Sequence, residues 1–482
     1  MSAPLLKRKE THFVFWRPGP SAPPPKLVIG VFQPGDPPTL HQRQEIPLVR
    51  SADSDEVWEV AATDCGLTDG QVYHYWFETI DTAPFRASHS PLLCTDPTAY
   101  AVDWRLRANS GDDEAAAALV RFRNGRLLPS DAETEPPLFE AGQGGDVALA
   151  DLPANNRLVI YELPTAWTKV GDLVDAEQVG VGTFRDVQAL IESGTRGGHF
   201  AGVRRVRDHR HLIELGANAL ELLPPADTFV DRRSWGYATS NYFAPDFDLG
   251  RPLDPTAPAA TSAATASTAV SDFLALIRSC HRNRIRFFYD AVMAFGNHDP
   301  YRTADFLDFH VFFTDLAHGP FDHLDPEQDG RDGFGGNLWK YAFFQRAFDP
   351  LTGGTLALVR ARRQMLSHLL YWMARYHVDG LRLDSVNNYN NWDFADDIRR
   401  EARAAWNARW RAEGNPAPGA DERFLVVGEE LAVPKGLLAH LDGLWNEDFK
   451  RILRHVILGR SADGEPSFER SVRRLIDCRN LG

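Results

Sequence analysis

The run Gly-Leu-Arg-Leu-Asp-Ser-Val at 380–386 places a cation and an anion, Arg382 and Asp384, in otherwise apolar surroundings. Residues two apart on a strand share a face, so a guanidinium would lie beside a carboxylate there. A buried pair of this kind costs desolvation and is seldom kept for stability alone, although a structural ion pair is the simpler alternative. Other apolar runs also end in polar residues. Tyr161 and Glu162 close one, Glu221 and Asp227 another, and Asp290, Asn297 and His298 a third; Glu429 and Glu430 follow "VVG", and Trp445 to Asp448 follow "DGL". Carboxylates beside aromatic rings suit glycoside hydrolysis, with one carboxylate as nucleophile and one as acid/base. The same set would also suit a divalent cation.

Such residues need a scaffold that brings them to one mouth. From about residue 157 the sequence alternates strand and helix: "RLVIYELP", "ANALELLP", "IRFFYDAVMAF", "VDGLRLDSV", "RFLVVGEEL" and "DGLWNEDF" read as strands. Helices read at "GTFRDVQALIESG", opened by Thr183, at "STAVSDFLALIRSCHRNR", at about 356–376, at "WDFADDIRREARAAWNARWRAEG" and at "SFERSVRRLIDC". Repeated strand–helix units predict an α/β fold with a parallel sheet. No GxGxxG or GxxxxGK turn follows a strand, which favours a TIM-type (β/α)8 barrel over a nucleotide-binding sheet. About six units are legible, so the barrel reads as incomplete. In this reading residues 157–482 are the catalytic barrel, interrupted by an insertion at about 296–355. Residues 10–102 carry short aromatic and β-branched runs between Pro, Gly and Asp clusters and predict a small β-sandwich. The acidic, Ala-, Gly- and Pro-rich stretch 103–156 reads as a linker or insertion.

Composition narrows the partners. The chain has 482 residues, 66 acidic against 52 basic, and a net charge of −14, which argues against nucleic acid and suits a neutral substrate. Its four cysteines, Cys65, Cys94, Cys280 and Cys478, form no CxxC pair, so neither zinc nor a disulfide framework is expected. "MSAPLLKRKETHF" lacks the apolar run of a signal peptide, and no stretch reaches the ~20 apolar residues of a membrane span. A cytoplasmic protein without a membrane partner is expected.

The motifs, taken in order, resemble those of the α-amylase superfamily, glycoside hydrolase family 13. "GLRLDSV" is similar to its strand-four signature, "VVGEEL" to strand five, "FFYDAVMAFGNH" to strand three and "SWGYATSNYFAPD" to the loop after strand two. "LWNEDFKRIL" is similar to the strand-six segment of trehalohydrolase-like and branching-enzyme-like members. "FWRP", "GQVYHYWFE" and "DPTAYA" resemble the sandwich module that precedes isoamylase, branching-enzyme and trehalohydrolase barrels. The resemblance implies an α-glucan as partner; no cofactor and no metal are expected. It implies hydrolysis of α-1,4 or α-1,6 bonds by retaining double displacement. Glucan branching is the alternative, and a catalytically silent glucan-binding protein is the rival of another class. By matching position, Asp384 is the nucleophile, Glu429 the acid/base, and Arg382 the cation that keeps Asp384 ionised. Asp290, Tyr237, Trp235, Trp445 and His298 are the matching substrate-binding residues. The two catalytic carboxyl groups should lie about 5–5.5 Å apart in one cleft.

Two positions depart from the pattern. The family's histidine stands five residues after the strand-three aspartate; here Phe295 stands there and His298 lies further on. A local insertion returns His298 to the site, or the contact is lost. The family's third carboxylate, from a His-Asp pair after strand seven, has no counterpart before Gly482. The expectation is therefore a chain lacking the last two barrel units, with open sheet edges and no activity by itself. "DPEQDGRDG" at 325–333 resembles the start of a calcium loop but has Gly336 where the ligating glutamate belongs, so an ordinary polar loop is expected.

Overall fold

The computed structural model describes residues 4–19, 23–84, 89–128, 147–165, 182–192, 209–229, 235–250, 268–312, 337–389, 391–415, 419–430 and 435–476. Segment 325–333, Asp477 and Cys478 lie outside them. Six parallel strands form one sheet in chain order: β1 (Ile160–Leu163), β2 (Ala219–Leu222), β3 (Arg286–Ala291), β4 (Gly380–Leu383), β5 (Val426–Gly428) and β6 (Gly443–Leu444). Helices α1 (Phe184–Ile191), α2 (Ala269–Arg282), α3 (Arg360–Tyr376) and α4 (Trp392–Ala412) follow the first four strands, and α5 (Glu447–Ile457) follows β6. Strands β1 and β6 are the edges of this sheet among the described residues. No helix there is long and apolar enough to cross a membrane.

Local chemistry explains the elements. All six residues of β3 are buried, as expected for a strand covered on both faces. The Thr183 hydroxyl accepts from the Asp186 N–H and caps α1. On α4, Phe394, Ile398, Ala402, Trp406 and Trp410 recur every fourth residue and are buried, an apolar stripe against the core. "DGLWNEDF" is strand only at Gly443–Leu444. The Asn446 side chain then accepts from the Phe449 N–H, so Glu447 and Asp448 open α5, where acidic residues suit the helix dipole.

Residues 12–128 form two antiparallel sheets, one of three strands and one of seven. The stretch read as linker is partly strand: Val102–Ala108, Ala115–Arg123 and Arg126–Leu128 belong to the larger sheet. Ala116 and Ala118 pack into one apolar cluster and Ala115 and Ala117 into another, so both faces of that strand are covered. Alanine favours helix in isolation, and burial on both sides overrides that preference. The sandwich packs on the parallel sheet's surroundings through Trp16, whose ring meets Phe309 edge-on at 5.3 Å. The Trp104 indole N–H also donates to Asp227 at 3.0 Å.

One close approach positions the later site. Phe288 on β3 pairs with Gly380 on β4, and two residues further along, Asp290 pairs with Arg382. A β-carbon at Gly380 would lie 2.4 Å from Phe288 Cε1. Gly380 thus leaves room for the Phe288 ring one layer below Arg382. Gly380→Ala should cost about 1–3 kcal/mol through overpacking, read as a lower urea midpoint with an unchanged slope. An unshifted midpoint would show that the ring relaxes at no cost.

Candidate active site

The strand alternation stacks the polar residues in layers. Glu221 pairs with Phe288 across β2 and β3, and Asp290 and Arg382 stand two residues beyond Phe288 and Gly380. Glu221 and Phe288 therefore form the floor beneath Asp290 and Arg382. Strand β4 ends at Leu383, and the Asp384 N–H donates to the Ala291 carbonyl at 3.1 Å. The next residue, Ser385, has φ 47°, a left-handed conformation that non-glycine residues adopt at a cost. This turn lets the Ser385 N–H donate to Glu429 Oε2 at 3.3 Å.

Arg382 binds the carboxylates together. Its Nη1 donates to Asp290 at 2.7 Å and to Asp384 at 3.0 Å. Its Nη2 lies 3.2 Å from Glu429 Oε2, and its Nε lies 4.0 Å from Glu221. Tyr237 completes the set: its hydroxyl donates to Asp290 at 3.0 Å, and its ring lies 5.4 Å from the guanidinium carbon. Asp384 and Glu429 thus face one guanidinium. Their side chains are 13% and 27% exposed, whereas Asp290 is fully buried, so only the first two open to a ligand.

One cation among these acids leaves a deficit of positive charge. Burial pushes Asp384 up to about 7, aided by the negative charge of Asp290 and opposed by Arg382. Asp290 rises to about 6, mainly through burial. Arg382 acts on Asp384 in the expected direction, lowering it through charge and a hydrogen bond, against burial and Asp290, which raise it. Glu221 is 1% exposed, and neither of its oxygens has a hydrogen-bond partner among the described residues. Burial and Asp290 raise it to about 9, so it stands protonated at neutral pH. The sequence located Glu221 at a strand end but carried no signal of its isolation, which depends on Phe288 beside it.

The remaining candidates have other recorded contacts. His298 stacks on Phe229 at 3.8 Å and borders a small cavity with Cys94, Thr95 and Arg302. Trp235 is 71% exposed on the loop leading to Tyr237. Trp445 is half-buried after β6, where its N–H donates to the Gly428 carbonyl at 3.0 Å. Ser385 was not singled out in the sequence, because a left-handed serine leaves no compositional trace.

The raised acids fix the sign of the pH dependence. A carboxyl raised on folding binds its proton more tightly in the native state, so its contribution is full at low pH and is lost as pH rises through the folded value. For Glu221 that window runs from its ordinary 4.5 to about 9. Glu221→Gln should flatten the fall in stability across this window, by up to about 1.4 kcal/mol per pH unit. Urea unfolding from pH 5 to 9 measures it; parallel curves for variant and parent would contradict the buried acid.

No family model matches the chain. It is 28% identical over 184 residues to the 1,4-alpha-glucan branching enzyme GlgB of Picrophilus torridus, a match covering 38% of this chain and 20% of the enzyme. The GlgB of Nostoc sp. is 26% identical over 176 residues, covering 36% of this chain and 17% of the enzyme. The matched segment thus spans about a fifth of these relatives' length. Among solved structures, the apo pullulanase of Paenibacillus barengoltzii superposes with a TM-score of 0.51 at 19% identity, over 98% of this chain and 61% of that one. The pullulanase of Anoxybacillus sp. LM18-11 gives 0.54 at 16% identity, over 97% and 56%. The superpositions establish an α-amylase-type fold. In sequence the chain is similar to segments of 1,4-alpha-glucan branching enzymes over rather more than a third of its own length.

Proposed function

We propose that the Arg382 cluster is the active site of a retaining glycoside hydrolase acting on α-1,4 or α-1,6 bonds of α-glucans. The observation that carries this reading is the single guanidinium that binds Asp290, Asp384 and Glu429 at the ends of three adjacent strands. The six parallel strands then read as successive units of a (β/α)8 barrel, behind an N-terminal β-sandwich. Paired carboxylates in one cleft are the equipment for double displacement. Asp384, ionised, attacks the anomeric carbon while Glu429 donates its proton to the departing glycosidic oxygen. A glycosyl ester on Asp384 results. Glu429 then takes a proton from water, the oxygen attacks the same carbon, and Asp384 leaves. Two inversions retain the configuration.

Glu429 is the more exposed of the pair and can meet both the leaving group and the incoming water. Arg382 and Tyr237 hold Asp290 and Asp384 in place; Asp290 is a positioning residue in this scheme. Trp235, Trp445 and His298 then belong to the wider glucan cleft. A second reading, glucan branching, is favoured by the sequence relatives, which are branching enzymes. It differs only in the second step, where a glucan hydroxyl replaces water. The described cysteines are buried thiols, which fits a reducing cytoplasm.

Reducing-end release from starch, glycogen and pullulan tests the assignment. Asp384→Asn should lower turnover by roughly a thousandfold or more, since residues of one catalytic unit fail together. The acid limb of kcat/KM should fall near pH 7 in the parent, where Asp384 titrates. In Asp290→Asn that limb should move to lower pH, because a neighbouring negative charge is gone. Turnover unchanged in Asp384→Asn would overturn the reading, and glucan binding with no turnover would favour a silent binding protein. Branched products without net reducing ends would favour the second reading.

A further inference from the structure

Phe343 and Phe344 are adjacent, and they are 67% and 66% exposed. Scattered exposed apolar residues need no explanation, but two exposed phenylalanines in succession are less usual. Phe343 has φ 68°, a left-handed backbone that a bulky residue adopts only under constraint. Strain of this kind concentrates at ligand-binding sites. Each ring also has a cation over it. Lys340 Nζ lies 5.2 Å from the Phe343 centroid, and the Arg362 guanidinium carbon lies 5.4 Å from that of Phe344. A cation occupies one face of a ring and holds it in place, so the exposed area belongs to the rest of the ring.

The pair is tied to the active-site mouth. Tyr341, two residues earlier, donates its hydroxyl to the carbonyl of Met293 on the segment that follows Asp290 and β3. Its ring meets Tyr389, which follows Asp384, at 5.6 Å. Arg362 donates to the Tyr341 carbonyl and to Asp393, in the first turn of α4. Helix α3 leads into β4 and α4 leaves it, so both begin on the side where the strands end. The segment that carries the two rings is therefore anchored on the side where the strands end.

We propose that Phe343 and Phe344 form a stacking platform for an α-glucan, gripping sugar units remote from the bond at Asp384. The proposal rests on the α-glucan reading of the site. The C–H face of a pyranose is apolar and packs against the π-face of an aromatic ring. Two rings fixed from behind lose little freedom on binding, which favours affinity. Neutral sugar is the fitting occupant, because the cations are already committed to the rings and to Asp393.

Isothermal titration with maltoheptaose, with cellohexaose as control, tests this on the full chain. Phe343→Ala/Phe344→Ala should weaken maltoheptaose binding about tenfold, with an unchanged melting temperature. Phe343→Trp/Phe344→Trp should bind at least as tightly as the parent. Equal affinity in the parent and the double alanine variant would overturn the platform while leaving the catalytic reading intact. A double alanine variant that changes sedimentation but not glucan affinity would show a protein contact and overturn it as well. A parent that binds no α-glucan would overturn both readings.

Discussion

A single buried guanidinium organises this protein. Arg382 sits at the end of β4 with its side chain 6% exposed, and it meets Asp290, Asp384, Glu429 and, more distantly, Glu221. Taking these charges out of water is expensive, and only good geometry offsets it. The fold supplies that geometry in steps. Parallel register sets Asp290 opposite Arg382. Gly380 gives Phe288 room to floor the layer below. The left-handed Ser385 turns an N–H toward Glu429.

The shortage of positive charge has a chemical consequence. One cation among several acids cannot hold all of them ionised, so burial pushes Asp290, Asp384 and Glu221 upward to different extents. Exposure then separates their roles. Asp290 and Glu221 have no access to solvent and tune the site from within, whereas Asp384 and Glu429 open to the cleft.

Much of this was legible in the sequence. The parallel strands and most helices followed from their apolar periodicity, and Thr183 marked the start of α1 as a capping residue should. Arg382, Asp384 and Asp290 could be placed together because strand alternation is strict. The failures have physical causes. Alanines 115–118 read as linker or insertion, because only a sandwich covering both faces makes them strand. Glu447 and Asp448 read as a strand end because the cap at Asn446 is a local hydrogen bond that periodicity does not reveal. The arginine beside Asp384 is visible in sequence, whereas its sharing among several acids is not.

The most direct test is Arg382→Lys. A lysine keeps the charge but has no planar fork to meet Asp290 and Asp384 on one side and Glu429 on the other. If the shared guanidinium sets the carboxylate geometry, the folded variant should lose about a hundredfold or more in glucan turnover, the scale expected when reacting groups shift by an ångström. Its kcat/KM should be measured beside a thermal unfolding curve that confirms a native fold. Turnover within a few-fold of the parent would contradict the central role of that guanidinium.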